Sequence, residues 1–502
     1  MRVLFVYPDF YVHKHGDGRI RYEPAGWYNE GLASLSATLK QRGHETALLH
    51  LLCPPAKEQF QAQLRRQRPD LVAFSLRSEV FRIGAICAQW AKELGYPTIA
   101  GGCHPTLAPE ESLSAPGLDI LCRGEGEVAL AELCDRLEAG RDPCDIPSLW
   151  FKRGDQIIAN PVGEVVQDLD ALPIPDYSLF DLPGLTSGQT YTALASFTRG
   201  CPYNCTYCCN QTLRSIYPNR SRWLRTRSPE NAIACLQALK AAYPQMRYLR
   251  VNDDIFHWSE EWLEEFAHLY KAQFTMPLAV HHRPNLFTER MAQLLREIGC
   301  YQIYFGVESG NEYIRNAVLR RRMSNEEIER AFALAHQAGM ITTAYNMVGL
   351  PYETMERALD TIKLNARIGA ERILNPIYCP YPHTDLYDLA VKAGFCPANV
   401  GYEEEVVCSM PGYEADRVRF VSANFKAFVG AYRAAYRLPR ALGQRAERLL
   451  DRLFLWPRLP HRLLTRLAYA RQRAAVRSKS LLRRTMPGLY IFLRGLAFGR
   501  HA

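Results

Sequence analysis

Three cysteines within eight residues constrain this chain more than any other feature. Cys201, Cys205 and Cys208 occupy the stretch CPYNCTYC, at spacings of four and then three. The proline and asparagine between the first two favour a turn, so a loop here can direct all three sulfurs to one point. Thiolates hold iron–sulfur clusters, and four are usual for a cubane. Three cysteines without an obvious fourth ligand predict a cluster in which one iron is open to a small molecule.

The cysteines have two other interpretations: ordinary buried thiols, or part of a zinc site. Zinc sites usually pair two C-x-x-C units or add histidines at set spacings, and no such partner follows closely. The adjacent Cys209 is expected to point elsewhere.

Strand and helix patterns alternate in two segments, residues 1–150 and 186–395. The first alternation predicts an α/β domain with a doubly wound parallel sheet, and the second predicts six βα units, a partial (β/α)6 barrel. Ligands of such folds bind at the carboxyl ends of the strands. The predicted strands are 2–6, 46–51, 71–75 and 98–100 in the first segment, and 192–198, 247–251, 278–282, 302–307, 342–348 and 373–377 in the second.

A linker over residues 151–185 is predicted between the two segments. It begins with a possible hairpin around Gly154 and continues into a stretch rich in Asp and Pro, residues 168–176, which favours extended chain. A C-terminal extension over residues 396–431 is expected to cap the barrel.

Residues 432–502 form a basic tail that carries 17 Lys and Arg but only two acids, whereas the whole chain has a net charge of +9. Leu, Phe and Trp alternate with the arginines, and prolines divide the tail into short amphipathic helices. Such helices bind anionic membrane surfaces or pack on the acidic body of the same protein. Nucleic-acid binding is a weaker third interpretation, because the tail has no recognised motif, and we expect no nucleic-acid partner.

Composition favours an ordinary soluble protein, since 48% of the residues are apolar and 23% are charged. An odd number of cysteines, fifteen, in a long chain without a signal-peptide pattern favours a reducing cytosol over disulfides. No stretch approaches the roughly 20 apolar residues of a membrane span. We therefore expect a cytoplasmic protein, at the inner face of the membrane if the tail binds lipid.

Two glycine-rich turns in the first segment are interpreted as lying at the carboxyl ends of strands. One contains Gly101, Gly102 and His104, and the other contains Gly124, Glu125 and Gly126. Glycine lets a ligand approach the backbone, although such turns are often plain connections.

Polar residues follow the strands of the second segment. Asp253 and Asp254 follow the second strand there, and this acidic pair either binds a ligand or caps a helix. Glu308 and Ser309 follow the fourth strand, and Asn346 and Gly349 lie at the end of the fifth. These positions converge at the edge of the barrel where the cysteine loop also lies.

The cysteine loop, with its aromatic Tyr207, resembles the signature C-x-x-x-C-x-aromatic-C of the radical S-adenosylmethionine (SAM) family. The resemblance implies that the three cysteines bind a [4Fe–4S] cluster and that SAM chelates the fourth iron. It also implies that Asp253, Glu308, Ser309, Asn346 and Gly349 bind SAM, and that an electron donor such as flavodoxin or ferredoxin reduces the cluster. Arg315 and Arg320 are candidate partners of the SAM carboxylate. His383, where the family usually has glycine, is a candidate acid or base, although a plain loop residue is the stronger expectation.

The first segment resembles the flavodoxin-like cobalamin-binding domain that often precedes radical SAM domains. The resemblance assigns Gly101, Gly102, His104, Gly124, Glu125 and Gly126 to a cobalamin cradle. The Asp-x-His-x-x-Gly motif that supplies a histidine to cobalt in many such domains is absent. No protein histidine ligand is therefore expected, and His104 is more simply a hydrogen-bonding residue.

Together these resemblances, over residues 1–395, imply a class B radical SAM methyltransferase. It would methylate an unactivated carbon of a small molecule or lipid, through a 5'-deoxyadenosyl radical and methylcobalamin, under anaerobic conditions. One alternative is a cyclase or rearrangement enzyme of the same architecture that transfers no methyl group. Another is a non-catalytic protein that senses its cofactors.

Overall fold

The computed structural model describes residues 1–14, 20–256, 259–398 and 406–486. Its first sheet has the order β4-β1-β5-β6-β7-β8-β9, in which the first five strands are parallel and the last two antiparallel. A separate hairpin, β2–β3, follows the first strand. The strands are β1 (Arg2–Pro8), β2 (Phe10–Lys14), β3 (Ile20–Pro24), β4 (Glu45–Leu51), β5 (Leu71–Ser75), β6 (Thr98–Gly101), β7 (Ile120–Cys122), β8 (Leu149–Arg153) and β9 (Gln156–Ala159).

Helices cover both faces of this sheet because its central strands carry apolar side chains on both faces. In β1, Val3 and Phe5 belong to the core under one set of helices, and Leu4 and Val6 belong to the core under the other. Strands buried on both faces are typical of doubly wound parallel sheets. The helices are α1 (Glu30–Gln41), α2 (Lys57–Gln67), α3 (Phe81–Lys92), α4 (Cys103–Leu107), α5 (Pro109–Ser114) and α6 (Glu127–Glu138).

The predicted fold class of the first segment is confirmed, although several of its elements were not predicted. Strand β7 is only three residues long, too short to give a pattern, and the β2–β3 hairpin and the helices α2, α4, α5 and α6 were also missed. The hairpin expected in the linker exists as β8–β9 but belongs to the first sheet, since Phe151 pairs with Ile120 of β7. The predicted boundary at residue 150 therefore falls inside a strand.

Short 3-10 turns connect the two domains in place of a long extended linker. They cover Leu169–Ala171, Tyr177–Leu179, Leu182–Gly184 and Gly188–Thr190.

Six parallel strands in sequential order, β10-β13-β14-β15-β16-β17, form the second sheet and confirm the predicted partial barrel. A two-stranded ribbon, β11–β12, leads into the cysteine loop. The strands are β10 (Thr192–Ala195), β11 (Thr198–Arg199), β12 (Arg225–Thr226), β13 (Tyr248–Val251), β14 (Leu278–His282), β15 (Cys300–Glu308), β16 (Ile341–Asn346) and β17 (Arg372–Leu374).

Amphipathic helices cover the outside of this barrel, as the 3.6-residue periodicity predicts. Tyr313–Val318 adds one π-helical turn after β15. The helices are α7 (Cys209–Ser215), α8 (Pro229–Ala242), α9 (Glu260–Gln273), α10 (Glu289–Glu297), α11 (Asn325–Gln337), α12 (Met355–Arg367) and α13 (Asp385–Lys392).

Three longer helices, α14 (Ala415–Tyr436), α15 (Arg440–Phe454) and α16 (His461–Thr485), end the described chain. Helix α14 packs on α12, and α15 and α16 pack on α14. The tail is thus less fragmented than expected, and its predicted start at residue 432 lies within α14, where Tyr432 is buried. No helix of the described residues is long and apolar enough to cross a bilayer. The apolar stretch of the sequence over residues 480–498 lies largely outside these residues.

Candidate active site

The cysteine loop lies at the carboxyl end of the barrel, between the β11–β12 ribbon and α7. Cys201 and Cys205 are buried, Cys208 is half-buried, and all three line one cavity of about 170 Å³. Asp253, which follows β13, fixes the approach to the loop, because its Oδ1 accepts hydrogen bonds from the amides of Phe197 (2.8 Å) and Thr198 (3.1 Å).

The thiols fit a cluster better than a single ion. All fifteen cysteines are free, and nowhere in the described ranges do three Cys, His, Asp or Glu side chains converge closely enough to hold one metal ion. A cubane needs its thiolates around a larger volume, because each of them binds a different iron. Three free thiols around one cavity satisfy that need.

Tyr207 ties the cysteine loop to the end of β15. Its hydroxyl accepts a hydrogen bond from Arg321 Nη1 (2.6 Å) and donates one to Glu308 Oε1 (3.2 Å). Burial raises the pKa of Glu308, and the charge of Arg321 opposes that rise. Arg321 Nε, which is buried, has no hydrogen-bond partner. An unpaired donor beside the cavity suits a polar ligand with a carboxylate.

Stacked rings from three adjacent strands form another wall of the same cavity. His281 on β14 stacks on Tyr304 of β15, with centroids 4.6 Å apart, and Tyr345 of β16 lies beside both. Burial and the neighbouring Arg250 lower the pKa of His281 to about 3, so its ring is neutral. The wall therefore offers flat surfaces to a ligand without adding charge.

A second, apolar cavity of about 80 Å³ lies in the first domain, at the carboxyl ends of its parallel strands. Gly101, Gly102, Gly124 and Gly126 line it together with side chains such as Leu32. A Cβ on Gly102 would lie 2.9 Å from a backbone oxygen, and Gly102 has a φ of +99°. The glycines thus keep open a slot whose walls are mainly apolar, which suits an inserted ring rather than an ion.

Both domains match known families. The model of the radical SAM superfamily matches residues 195–364, and that of the B12-binding domain matches residues 24–134. The first range contains the three cysteines and the second contains all four glycines of the slot.

This chain is a B12-binding radical SAM protein.

Its relatives include both methylating and cyclising proteins. An uncharacterized methyltransferase of Pyrococcus horikoshii is 26% identical over 72% of this chain and 78% of its own length. An anaerobic magnesium-protoporphyrin IX monomethyl ester cyclase of Rubrivivax gelatinosus is 23% identical over 77% of this chain and 69% of its own. A hopanoid C-3 methylase of Methylococcus capsulatus is 24% identical over 73% and 68%.

The fold is also that of a solved radical SAM methyltransferase. TsrM of Kitasatospora setae, determined with a tryptophan substrate and a SAM analogue bound, gives a TM-score of 0.63 at 19% identity. The match covers 78% of this chain and 76% of TsrM.

Two residues predicted for the cobalamin cradle lie elsewhere. Glu125 points into the domain interface, where its carboxylate pairs with Arg225 (2.8 Å) and Arg199 (3.3 Å). His104 is fully buried, with its Nδ1 3.2 Å from Ser78 Oγ and its ring against Phe81, and it does not line the slot. Burial and His383 lower the pKa of His104 to about 4.

Most residues predicted to bind SAM hold the barrel together instead, and of these only Glu308 lines the cluster cavity. Asn346 is buried and bonds to Asn365. Ser309 is buried and bonds to the amide of Asn311. Asp253 anchors the cysteine loop, as described above, and Gly349 begins a buried turn.

The two candidate arginines are also structural. Arg315 is fully buried and donates to the carbonyls of Ser309 and Met323, and Arg320 pairs with Asp385 on α13. His383 has a φ of +65°, a conformation that glycine adopts without strain. This explains why glycine suits the position, and no acid or base role follows from it.

Sequence reasoning missed most of the cavity wall. Arg283 and Arg321 line it, as do Asp254, His281 and Tyr345. Asp254 belonged to the acidic pair already noticed, and an outward search from Asp253 would have found it. The others lie at inward positions of strands or in turns, where only the closure of the barrel identifies them.

Proposed function

We propose that this protein transfers a methyl group to an unactivated carbon of a small molecule. One observation carries the proposal: the helix that begins at the glycine slot contacts the helix that begins at the cysteine loop, across the domain interface. Helix α4 begins directly after Gly102, and α7 begins directly after Cys208. A hydrogen bond of 2.6 Å from Tyr381 to Glu79 also joins the two domains.

Bound SAM at the cluster would supply a 5'-deoxyadenosyl radical, and bound cobalamin would supply the methyl group. The residues of this chain would orient the reactants and exclude water. Cys201, Cys205 and Cys208 would hold the cluster, Glu308 and Arg321 would bind the polar end of SAM, and the stacked rings of His281 and Tyr304 would confine its adenosyl part. The slot would hold the nucleotide tail of cobalamin.

An anaerobic label trace tests this proposal. The reconstituted protein, with cobalamin, a low-potential reductant and methyl-labelled SAM, would receive lipid and aqueous extracts of its host. We expect labelled product with both S-adenosylhomocysteine and 5'-deoxyadenosine, and no SAM cleavage in Cys205→Ala. 5'-Deoxyadenosine without transferred label would instead favour a cyclase or rearrangement enzyme. If the protein bound its cofactors but cleaved no SAM, only the hypothesis of a non-catalytic, cofactor-sensing protein would remain.

We also propose that the C-terminal helices bind an anionic membrane surface. Half of the large apolar side chains that the described residues expose lie between residues 438 and 486. Leu442, Leu449 and Leu453 share one face of α15, and Leu463 and Leu467 share one face of α16, by helical spacing. Other faces of the same helices bury Phe454 and Ala468 against the protein. Helices α15 and α16 thus pack on the protein with one face and expose an apolar stripe on another.

Arginines flank this stripe, as in helices that lie in a membrane interface. Such contact would give access to a lipid substrate, and the hopanoid methylase among the relatives acts on one. Replacing the five leucines with serine should reduce binding to vesicles that contain anionic lipid, whereas Ile157→Ser, at an exposed site on β9, should not. Equal vesicle binding by the wild type and the five-leucine variant would contradict the proposal.

A further inference from the structure

A basin of about 780 Å³ lies directly behind the cysteine loop, and arginines dominate its wall. No acidic residue lines it. Arg220, Arg320 and Arg322 are exposed, whereas Arg283 and Arg321 are buried at its floor. Its six arginines are Arg214, Arg220, Arg283, Arg320, Arg321 and Arg322.

The basin and the cavity that the three sulfurs line have only Arg283 and Arg321 in common. Residues Pro202, Tyr203 and Asn204, between the first two cysteines, form the basin wall, and none of the three cysteines does. Arg214 braces this wall by donating to the carbonyl of Pro202 (2.9 Å). A molecule in the basin would therefore lie within a few residues of the cluster, yet outside the space in which SAM and a substrate would meet.

Arg283 connects the two spaces. Its guanidinium lies 3.7 Å from the ring centroid of Tyr203, and its Nη1 lies 3.6 Å from Cys205 Sγ. It lines both the basin and the cluster cavity. The basin thus reaches the cluster thiolates through Arg283, and through Pro202 and Asn204, which directly adjoin Cys201 and Cys205 in the chain.

We propose that this arginine basin is the docking surface of an acidic electron-donor protein, a small flavoprotein or iron–sulfur protein, which passes one electron to the cluster. The inference rests on the proposed radical chemistry, which requires a reduced cluster. None of the three cysteines lines the basin, so a molecule there meets the outer side of the cysteine loop and not the sulfurs. A concentrated positive surface steers an acidic partner and raises its association rate, an effect that salt weakens.

The test measures reduction of the reconstituted cluster in the full-length protein by stopped-flow absorbance. Two donors are compared: flavodoxin hydroquinone, an acidic protein, and reduced methyl viologen, a small cation. The variant Arg220→Glu/Arg322→Glu reverses two exposed charges of the basin. The control Arg65→Glu/Arg66→Glu reverses two exposed charges on α2, in the other domain.

We expect the basin variant to slow reduction by flavodoxin by about tenfold or more at low salt. Its reduction by methyl viologen should match that of the wild type, and the control variant should match the wild type with both donors. Unchanged reduction by flavodoxin would overturn the inference, as would equal slowing with both donors. SAM cleavage by the wild type with methyl viologen as the reductant is measured in parallel. If the wild type cleaves SAM, the proposed function stands even when the docking inference is overturned. If the wild type cleaves no SAM, the proposed function is refuted.

Discussion

At the scale of single residues, Arg283 is the side chain that most directly influences the cluster site. It is 4% exposed, and it donates toward Cys205 Sγ. Hydrogen bonds and positive charge at cluster sulfurs raise the reduction potential, because they stabilise the added electron. This arginine was invisible in the sequence, since it lies in the turn after β14 with no motif around it.

Replacing Arg283 with glutamine should therefore lower the reduction potential of the cluster. Glutamine keeps a hydrogen-bond donor but removes the charge, and Arg283→Lys, which keeps the charge, should shift the potential less. A redox titration followed by electron paramagnetic resonance measures both variants after reconstitution. Equal potentials in wild type and Arg283→Gln, with the cluster intact, would contradict this role.

At the scale of elements, the turn between β16 and α12 depends on a buried acid. Glu353 Oε2 accepts hydrogen bonds from the amides of Gly349 (2.6 Å) and Leu350 (3.3 Å). Gly349 has a φ of +80°, and a Cβ there would lie 2.6 Å from Val418 of α14. The glycine that the family resemblance assigned to SAM thus allows a C-terminal helix to pack closely on the barrel.

Glu353 should also make stability depend on pH. Burial raises its pKa from 4.5 to about 8. As the pH rises, the folded state therefore keeps the proton of Glu353 after the unfolded state has lost it. The stabilisation of the folded state by this group is complete below pH 4.5 and is lost as the pH rises through 8. Between these values the unfolding free energy falls by about 1.4 kcal/mol per pH unit from this group.

Glu353→Gln removes this dependence while keeping an acceptor for the two amides. Thermal denaturation should show little change near pH 5 and a higher melting temperature than wild type at pH 8.5. The control Glu356→Gln, at an exposed position on α12, should follow the wild type at both pH values. If the melting temperatures of the wild type and Glu353→Gln changed in parallel with pH, Glu353 would not be the source of the pH dependence.

At the scale of the whole molecule, a charged cluster joins the two domains next to the cysteine loop. Arg199 lies two residues before Cys201, and its Nη2 contacts Glu127 Oε1 of α6 at 2.6 Å. Burial alone would raise the pKa of Glu127, but Arg199 and Ser34 hold it below its usual value. This ion pair sets the position of the first domain relative to the cluster loop.

Arg199→Met would leave Glu127 buried without its partner, and should destabilise the protein by about 3–5 kcal/mol. The double variant Arg199→Met/Glu127→Gln should recover much of that loss, because no unpaired charge remains. Denaturant unfolding followed by circular dichroism measures both, with the exposed Arg222→Met as a control. If Arg199→Met lost no more stability than Arg222→Met, the Arg199–Glu127 pair would not join the domains.

The sequence alone determined the two domains, the six barrel strands and the three cysteines. Each of these is encoded locally: strands by apolar runs, helices by their 3.6-residue period, and the cysteine loop by a spacing within eight residues. Glu308 and the four glycines, which line the two cavities, were also singled out from the sequence, because they lie in polar or glycine-rich turns assigned to strand ends.

Tertiary structure alone decided what the remaining polar residues do. Asp253, Ser309 and Asn346 lie at strand ends like Glu308, yet they face the protein interior and bond to its backbone and side chains. Arg283 and the arginine basin unite residues more than 100 positions apart. Local pattern shows that a polar residue ends a strand, but the direction of its side chain and its charged neighbours are fixed only when the strands close into a barrel.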